Sequence, residues 1–363
     1  MKICHTLLCM NPGGAENVVA TLSNYWVKEN KDVDIVIFVG DDYPIFYHLD
    51  PKIKIHKLDL YGESKNLFEA IKRSFKIIKA LIKIYRELKP DVVIAHGNRE
   101  ITLSTISALV TRRRVVGYIH NDQSDFYKDK SKIWRLLEKI FFPLSDNLII
   151  MDKSIMNKIP LFSKRKAIQI NNPVEDKYFN YEKISQDLNI IHVGSFVKRK
   201  NQLCLIKAFN EISSKHPTSK LILIGEGPEK DYCQDLCVKL NINNRVEFLG
   251  NVKNVKDHLQ RSSLFIMPSF SEGMSIAILE ALATGLPLIT TDYSPFHRRV
   301  TINGKNGYLV KVNDEYDMAD KIDLILKNNK LRIKMSEASK NISKEYSVKL
   351  VSNKWDQLFN KFN

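Results

Sequence analysis

Short apolar runs recur along the whole chain, separated by longer polar or amphipathic stretches. In the first half they are "KICHTLLC", "VDIVIFV", "PDVVIAH", "RVVGYIH", "DNLIIM" and "KAIQINN". In the second half they are "NIIHVGSF", "SKLILIGEG", "NRVEFLG", "SSLFIMPS" and "LPLITTD". Runs of this length, bounded by turn residues and alternating with helical patterns, predict βαβ units and a parallel sheet. Two such series predict two doubly wound α/β sheets. A helix is expected from Ala15 to about Lys28. The terminal stretch "SVKLVSNKWDQLFNKF" places Val348, Val351, Trp355, Leu358 and Phe359 on one face of another. The Asn-Asn-Pro of "INNPVEDKYF" marks a linker, because the residue before a proline is pushed out of helical geometry. With 363 residues, two domains are expected. They divide as 1–172 and 173–345, with a helix in 346–363 packing back on the first.

One stretch breaks the pattern. "SEGMSIAILEALATGLPLITTD" (271–292) places Glu280 in the middle of a helix that is apolar nearly all round and so should be buried. Gly285 is positioned to cap that helix, and Pro287 opens the next strand. A carboxylate there needs a partner. It is either half of a buried ion pair or a group facing a ligand beyond the strand ends, where doubly wound sheets bind ligands. Glu272 lies eight residues earlier, in a loop turning at Gly273. Eight helical steps would separate the two carboxylates by about 12 Å, a span that suits two hydroxyl-bearing groups joined by a diphosphate. The helix N-terminus between them favours a phosphate.

The stretch resembles the E-x7-E signature of the retaining glycosyltransferases of family four, which adopt the GT-B fold of two Rossmann-like domains with a cleft between them. Other pieces resemble the same family in the same order: "NPGGAENVV", "YIHND", "INNPV", "HVGSFVKRKNQLCLIKAF", "LILIGEGPE" and "VEFLGNV". The resemblance implies the site. Glu272 would hold the donor sugar's hydroxyls, and Glu280 the ribose. Lys200 and the N–H groups of Gly273, Met274 and Ser275 would meet the diphosphate. Gly13 and Gly14 would let the first loop approach the same phosphates, and His120 would line the donor-sugar site from the other domain. The family often carries Arg where this chain has Ser195, so Ser195, Lys198 or Arg199 stands in the place of a second cation. The implied activity is retaining transfer of a hexose from a nucleotide-sugar, most often UDP-linked, to a hydroxyl. The implied acceptor is a lipid-linked glycan in bacterial surface-polysaccharide assembly.

Charge extends this picture. The formal net charge is +15, and between Lys65 and Lys139 there are 17 Lys/Arg against 8 Asp/Glu. On a helix over 67–89, Lys72, Lys76, Lys79, Lys83 and Arg86 gather in one stripe beside a broad apolar arc. "KDKSKIWRLLEKIFF" adds a second basic-apolar segment containing Trp134. These are either solvated helix faces or contacts for an anionic membrane or a lipid-diphosphate acceptor. Exposed Phe or Trp favours the second reading, and burial of Trp134 the first. A nucleic-acid binder is a rival that the charge allows, but no recognition motif supports it. A sugar-nucleotide epimerase on the same fold is a second rival, against which the E-x7-E spacing speaks.

The remaining signals are weaker. A lone histidine at a strand end, such as His120, is more often structural outside a family context. "GEGPE" after a strand is commonly a tight turn. Asp32 and Asp34 imitate a metal-binding Asp-x-Asp but sit at the entry of a strand, so no metal or other cofactor is expected. The five cysteines are odd in number and scattered, which points to a reducing cytoplasm, and Cys233 and Cys237 lack further ligands for a metal. The start of the chain lacks the long apolar core of a signal peptide, and no run is long enough to cross a membrane. A cytoplasmic protein is expected, with peripheral contact at the inner membrane face.

Overall fold

The computed structural model describes residues 1–62, 66–120, 132–157, 159–180 and 187–362. Its contacts divide the chain into two units, Met1–Pro173 with Val348–Asn363, and Val174–Ser347.

In the first unit the apolar runs become β1 (Lys2–Leu7), β2 (Asp32–Ile37), β3 (Lys54–Lys57), β4 (Val92–His96), β5 (Arg114–Ile119), β6 (Asn147–Ile150) and β7 (Ala167–Gln169). They pair in parallel in the order β3-β2-β1-β4-β5-β6-β7. The central strands are buried on both faces, which is why they read as unbroken apolar runs. Helices α1 (Gly14–Lys28), α2 (Leu67–Leu88), α3 (Asn98–Thr111) and α4 (Lys132–Phe141) connect them. The side chain of Asn66 caps α2 by accepting from the Glu69 N–H at 2.9 Å. Ile77, Leu81 and Tyr85 of α2 enter the core.

The second unit repeats the plan. Its strands are β8 (Ile190–Val193), β9 (Leu221–Ile224), β10 (Val246–Gly250), β11 (Leu264–Met267), β12 (Leu288–Thr291) and β13 (Gly307–Val310), in the order β10-β9-β8-β11-β12-β13. The helices are α5 (Gln202–Ser213), α6 (Lys230–Lys239), α7 (Val255–Gln260), α8 (Ile276–Ala283), α9 (Pro295–Val300), α10 (Glu315–Leu326) and α11 (Asn329–Ser343). The strand order of each sheet reverses direction after its first strand, β1 in one and β8 in the other. Such a reversal opens a crevice at the C-terminal strand ends.

The last helix, α12 (Val348–Phe359), belongs to the first unit. Its apolar face packs on α1: Trp355 meets Trp26 edge-on at 5.8 Å, and the Trp26 indole donates to Ser352 Oγ at 2.9 Å.

Two strands escaped the sequence pattern. β3 is a four-residue edge strand with no buried residue, and β13 begins at Gly307, inside a turn-rich segment. β2 starts at Asp32, earlier than its apolar run suggests. Asp34 is therefore a strand residue, buried and paired with His56 at 2.7 Å and Lys2 at 3.5 Å. Cys233 and Cys237 pack inside the core of the second unit as free thiols. Burial pushes them up to about 12 and about 11.

Candidate active site

The second unit gathers its charged groups beyond the ends of β8 and β11. After β8 the chain turns at Gly194 and Ser195 and forms a short 3-10 turn, Lys198–Lys200, ended by Asn201 in the left-handed region at φ 51°. This turn aims Lys200 inward. Its Nζ lies 2.6 Å from Glu272 Oε1, with both residues 8% exposed. Arg199 reaches the same oxygen at 2.9 Å and donates to the Ser271 carbonyl at 2.8 Å. The Ser269 hydroxyl donates to it at 3.1 Å. Burial raises the Glu272 pKa, but Lys200 and Arg199 outweigh it, and the carboxyl stays below its usual range. Two cations thus face one carboxylate, leaving one positive charge in excess before any ligand arrives.

The supporting shell is specific. His192 donates from Nδ1 to the Ile266 carbonyl at 2.8 Å, and Gln202 donates to the Ser195 carbonyl at 2.9 Å. Gly225 has a φ of 136°, and a Cβ there would sit 2.2 Å from the Gly194 carbonyl oxygen. The "GEGPE" loop therefore needs its glycine to pack backbone on backbone against the Lys200 turn.

Helix α8 supplies the next group. Ser275 is its N-cap residue, and the first N–H groups of a helix have no intrahelical partner. Met274 and Ser275 are buried and Gly273 is half-buried. Glu280 is 6% exposed, in the middle of the helix. The helix ends in a Schellman motif: Gly285 at φ 77° donates to the Leu282 carbonyl at 2.9 Å, and Leu286 to that of Ala281 at 2.9 Å. Because α8 starts only at Ile276, half of the interval between Glu272 and Glu280 is loop. The expected eight helical steps are four.

Of the three residues considered for the second cation, Ser195 and Lys198 are exposed, and Arg199 alone contacts Glu272. His297 went unnoticed in the sequence. It is fully buried on α9, with Nδ1 3.0 Å from Ser294 Oγ and Nε2 without a partner among the described residues. Burial brings it down to about 4, although Glu272 pulls the other way. Nothing in "PFHRR" signals that position.

In the first unit, Gly13 precedes α1 and Gly14 opens it. Tyr47 clamps this loop, its hydroxyl accepting from the Gly13 N–H at 3.0 Å and donating to the Gly13 carbonyl at 2.7 Å. His120 follows β5, stacked on Tyr118 at 4.1 Å, and its Nε2 lies 2.8 Å from His96 Nδ1. Burial brings His120 down to about 3. The two residues of "YIHND" that follow His120 lie outside the described residues, as does the start of "KDKSKIWRLLEKIFF".

The basic stripe of α2 is exposed at Lys72, Lys76, Lys79, Lys83 and Arg86. Phe68 and Phe75 are also exposed, by 75% and 61%, and each lies four residues before a lysine of the stripe, so they share its face. Trp134 is half-buried against the core, with the Arg99 guanidinium over its ring at 5.7 Å.

Two parallel sheets, each with polar groups beyond the C-terminal strand ends, define a two-domain fold of the GT-B type. Comparison with known proteins narrows this. Residues 174–342 match the family described as Glycosyl transferases group 1, and residues 12–176 match Glycosyltransferase Family 4. An uncharacterized glycosyltransferase of Methanocaldococcus jannaschii is 32% identical over 77% of this chain and 73% of its own. The Escherichia coli UDP-Gal:alpha-D-GlcNAc-diphosphoundecaprenol alpha-1,3-galactosyltransferase is 26% identical over 86% of this chain and 85% of its own. In structure, the pneumococcal O-GlcNAc transferase GtfA superposes with a TM-score of 0.83 at 13% identity, covering 100% of this chain and 99% of that one. The chain belongs to the glycosyltransferases.

Proposed function

We propose that the protein is a retaining hexosyltransferase that uses a UDP-sugar and a lipid-diphosphate-linked glycan acceptor in surface-polysaccharide assembly. The observation that carries this reading is the Lys200–Glu272–Arg199 cluster beside the N-terminus of α8. Its excess positive charge and the helix dipole suit a diphosphate leaving group. Lys200 and Arg199 take the diphosphate, Glu272 holds the sugar hydroxyls, and Glu280 binds the ribose. The amides of Gly273, Met274 and Ser275 add to the diphosphate site. By the family resemblance, His120 and the Gly13-Gly14 loop are further active-site groups. These cations and amides stabilise the departing diphosphate without a divalent metal. The E. coli relative is named for a UDP-galactose donor and a diphosphoundecaprenol-linked acceptor, which supports both halves of the reading. The exposed Phe68, Phe75 and lysine stripe of α2 suit an anionic membrane surface, where such an acceptor would lie. No helix among the described residues is long and apolar enough to cross a membrane.

The test is a screen of UDP-, GDP- and ADP-sugars for release of the nucleoside diphosphate, first without an acceptor and then with a polyprenyl-diphosphate sugar. Release from a UDP-sugar that rises on adding the acceptor is expected. Epimerisation of the donor without release of UDP would point to an epimerase instead.

A further inference from the structure

Three histidines, two on adjacent strands β1 and β4 and one directly after β5, form one hydrogen-bonded chain in the first unit. His5 Nδ1 lies 2.8 Å from His96 Nε2, and His96 Nδ1 lies 2.8 Å from His120 Nε2. The sheet register explains the alignment. His5 is level with Ile94, two residues before His96, and His96 is level with Tyr118, two residues before His120. A step of two keeps a side chain on the same face of a strand, so the imidazoles run diagonally across one face of the sheet. Over His5 and His96 that face is sealed. The His5 ring stacks on Trp26 at 5.6 Å, and Trp355 packs against both Trp26 and Tyr118. His5 is fully buried and His96 is 4% exposed.

Burial keeps all three rings neutral at pH 7, bringing His5 and His120 down to about 3 and His96 well below its usual value. Each neutral ring carries one proton, and each N···N contact needs one. Only two arrangements satisfy both contacts. In one, His5 donates from Nδ1 to His96 and His96 from Nδ1 to His120, and the last proton sits on His120 Nδ1. In the other, His120 donates from Nε2 to His96 and His96 from Nε2 to His5, and the last proton sits on His5 Nε2. That nitrogen is buried with no hydrogen-bond partner among the described residues. An orphaned buried N–H is rarer than a bare acceptor, which favours the first arrangement.

We infer that His5 and His96 are positioning residues that fix His120 in the Nδ1–H tautomer, so that this ring presents a donor rather than a proton acceptor at the nitrogen outside the chain. The inference rests on the reading of His120 as an active-site group and sharpens it: His120 donates a hydrogen bond to a sugar oxygen and does not act as a general base. A free neutral histidine prefers the opposite tautomer, so the assignment is not a default.

The tautomers are read directly by two-bond 1H–15N NMR of the unliganded full chain, labelled with 15N-histidine, at neutral pH. The His120 signals are assigned by their loss in His120→Gln. The expected result is a proton on Nδ1 and a bare Nε2 in His5, His96 and His120 alike. A proton on Nε2 of His120 or of His5 overturns the inference. Kinetics of UDP release provide the second readout. His96→Asn keeps an N–H near the position of Nδ1, whereas His96→Phe keeps only the bulk. His96→Phe should lower kcat by about tenfold or more with little change in KM, and His96→Asn should recover most of it. Equal losses in the two variants would also overturn the inference. A wild type inactive toward every sugar nucleotide tested would count against the functional reading alone, because the NMR result needs no substrate.

Discussion

Glu272→Gln separates the structural task of this carboxylate from its chemical one. The substitution keeps the shape and removes the charge. Lys200, whose side chain is only 10% exposed, then loses the counter-ion at 2.6 Å, and Arg199 loses the one at 2.9 Å. Breaking a buried pair by neutralising one member costs about 3–5 kcal/mol. For a unit the size of Val174–Ser347, each kcal/mol lowers Tm by roughly 2–4 °C, so a fall of about 6–20 °C is expected. Arg199, 39% exposed on its side chain, turns to solvent and keeps the fall toward the lower end. The same change frees Lys200 for an incoming phosphate. UDP should therefore bind Glu272→Gln at least as tightly as wild type, and saturating UDP should raise its Tm by at least as much as it raises that of wild type. Transfer should nevertheless collapse, because the sugar hydroxyls lose their carboxylate. Scanning calorimetry with and without UDP, and turnover on the same samples, measure all three effects. An unchanged Tm, or a UDP affinity that falls along with it, would contradict the role of Glu272 as counter-ion to Lys200.

The wild-type pair also sets a pH dependence. The folded pKa of Glu272 lies below the unfolded value, so its contribution is present above about pH 4.3 and is lost as pH falls through the folded pKa. The buried histidines act earlier. His5 at about 3 and His192 and His297 at about 4 are neutral in the fold but charge near pH 6.5 when unfolded. Each contributes stability above about pH 6.5 and loses on the order of 1.4 kcal/mol per pH unit below it. Urea unfolding at pH 7.5 and 5.5 should show the drop, and equal midpoints would contradict it. Gly285→Ala places a Cβ 2.6 Å from Lys340 Cε and 2.8 Å from Ser336 Oγ at a φ of 77°, and should cost about 1–2 kcal/mol in the same assay; a neutral result would remove the Schellman argument. UDP release should persist in EDTA, whereas full loss restored by manganese or magnesium would reject the metal-free reading.

Much of the fold was legible because parallel strands are buried on both faces and so write unbroken apolar runs. β3 and β13 escaped for the converse reason: edge position and short length leave them mixed or turn-like. At the site, Glu280 stood out through its apolar surroundings, and Glu272 and Lys200 through motif resemblance. The choice among Ser195, Lys198 and Arg199 was not legible, since it depends on which side chain a 3-10 turn points at Glu272. His5 and His96 each read as a single polar residue in an apolar strand. Only the register that sets His5 against Ile94 and His96 against Tyr118 shows that they meet. The three histidines at the ends of "KICH", "VVIAH" and "GYIH" were the available signal, once adjacency of those strands was assumed.

The central claim is that Lys200, held by Glu272 beside the N-terminus of α8, binds the diphosphate of a UDP-sugar. Calorimetric titration of UDP into wild type and Lys200→Met tests it most directly. A hydrogen-bonded charge contributes about 1.5–3 kcal/mol, so saturable one-to-one binding in wild type should weaken by roughly tenfold to a hundredfold in a Lys200→Met protein that remains folded. Equal affinity in the two proteins, or no heat of UDP binding to wild type, would contradict the claim.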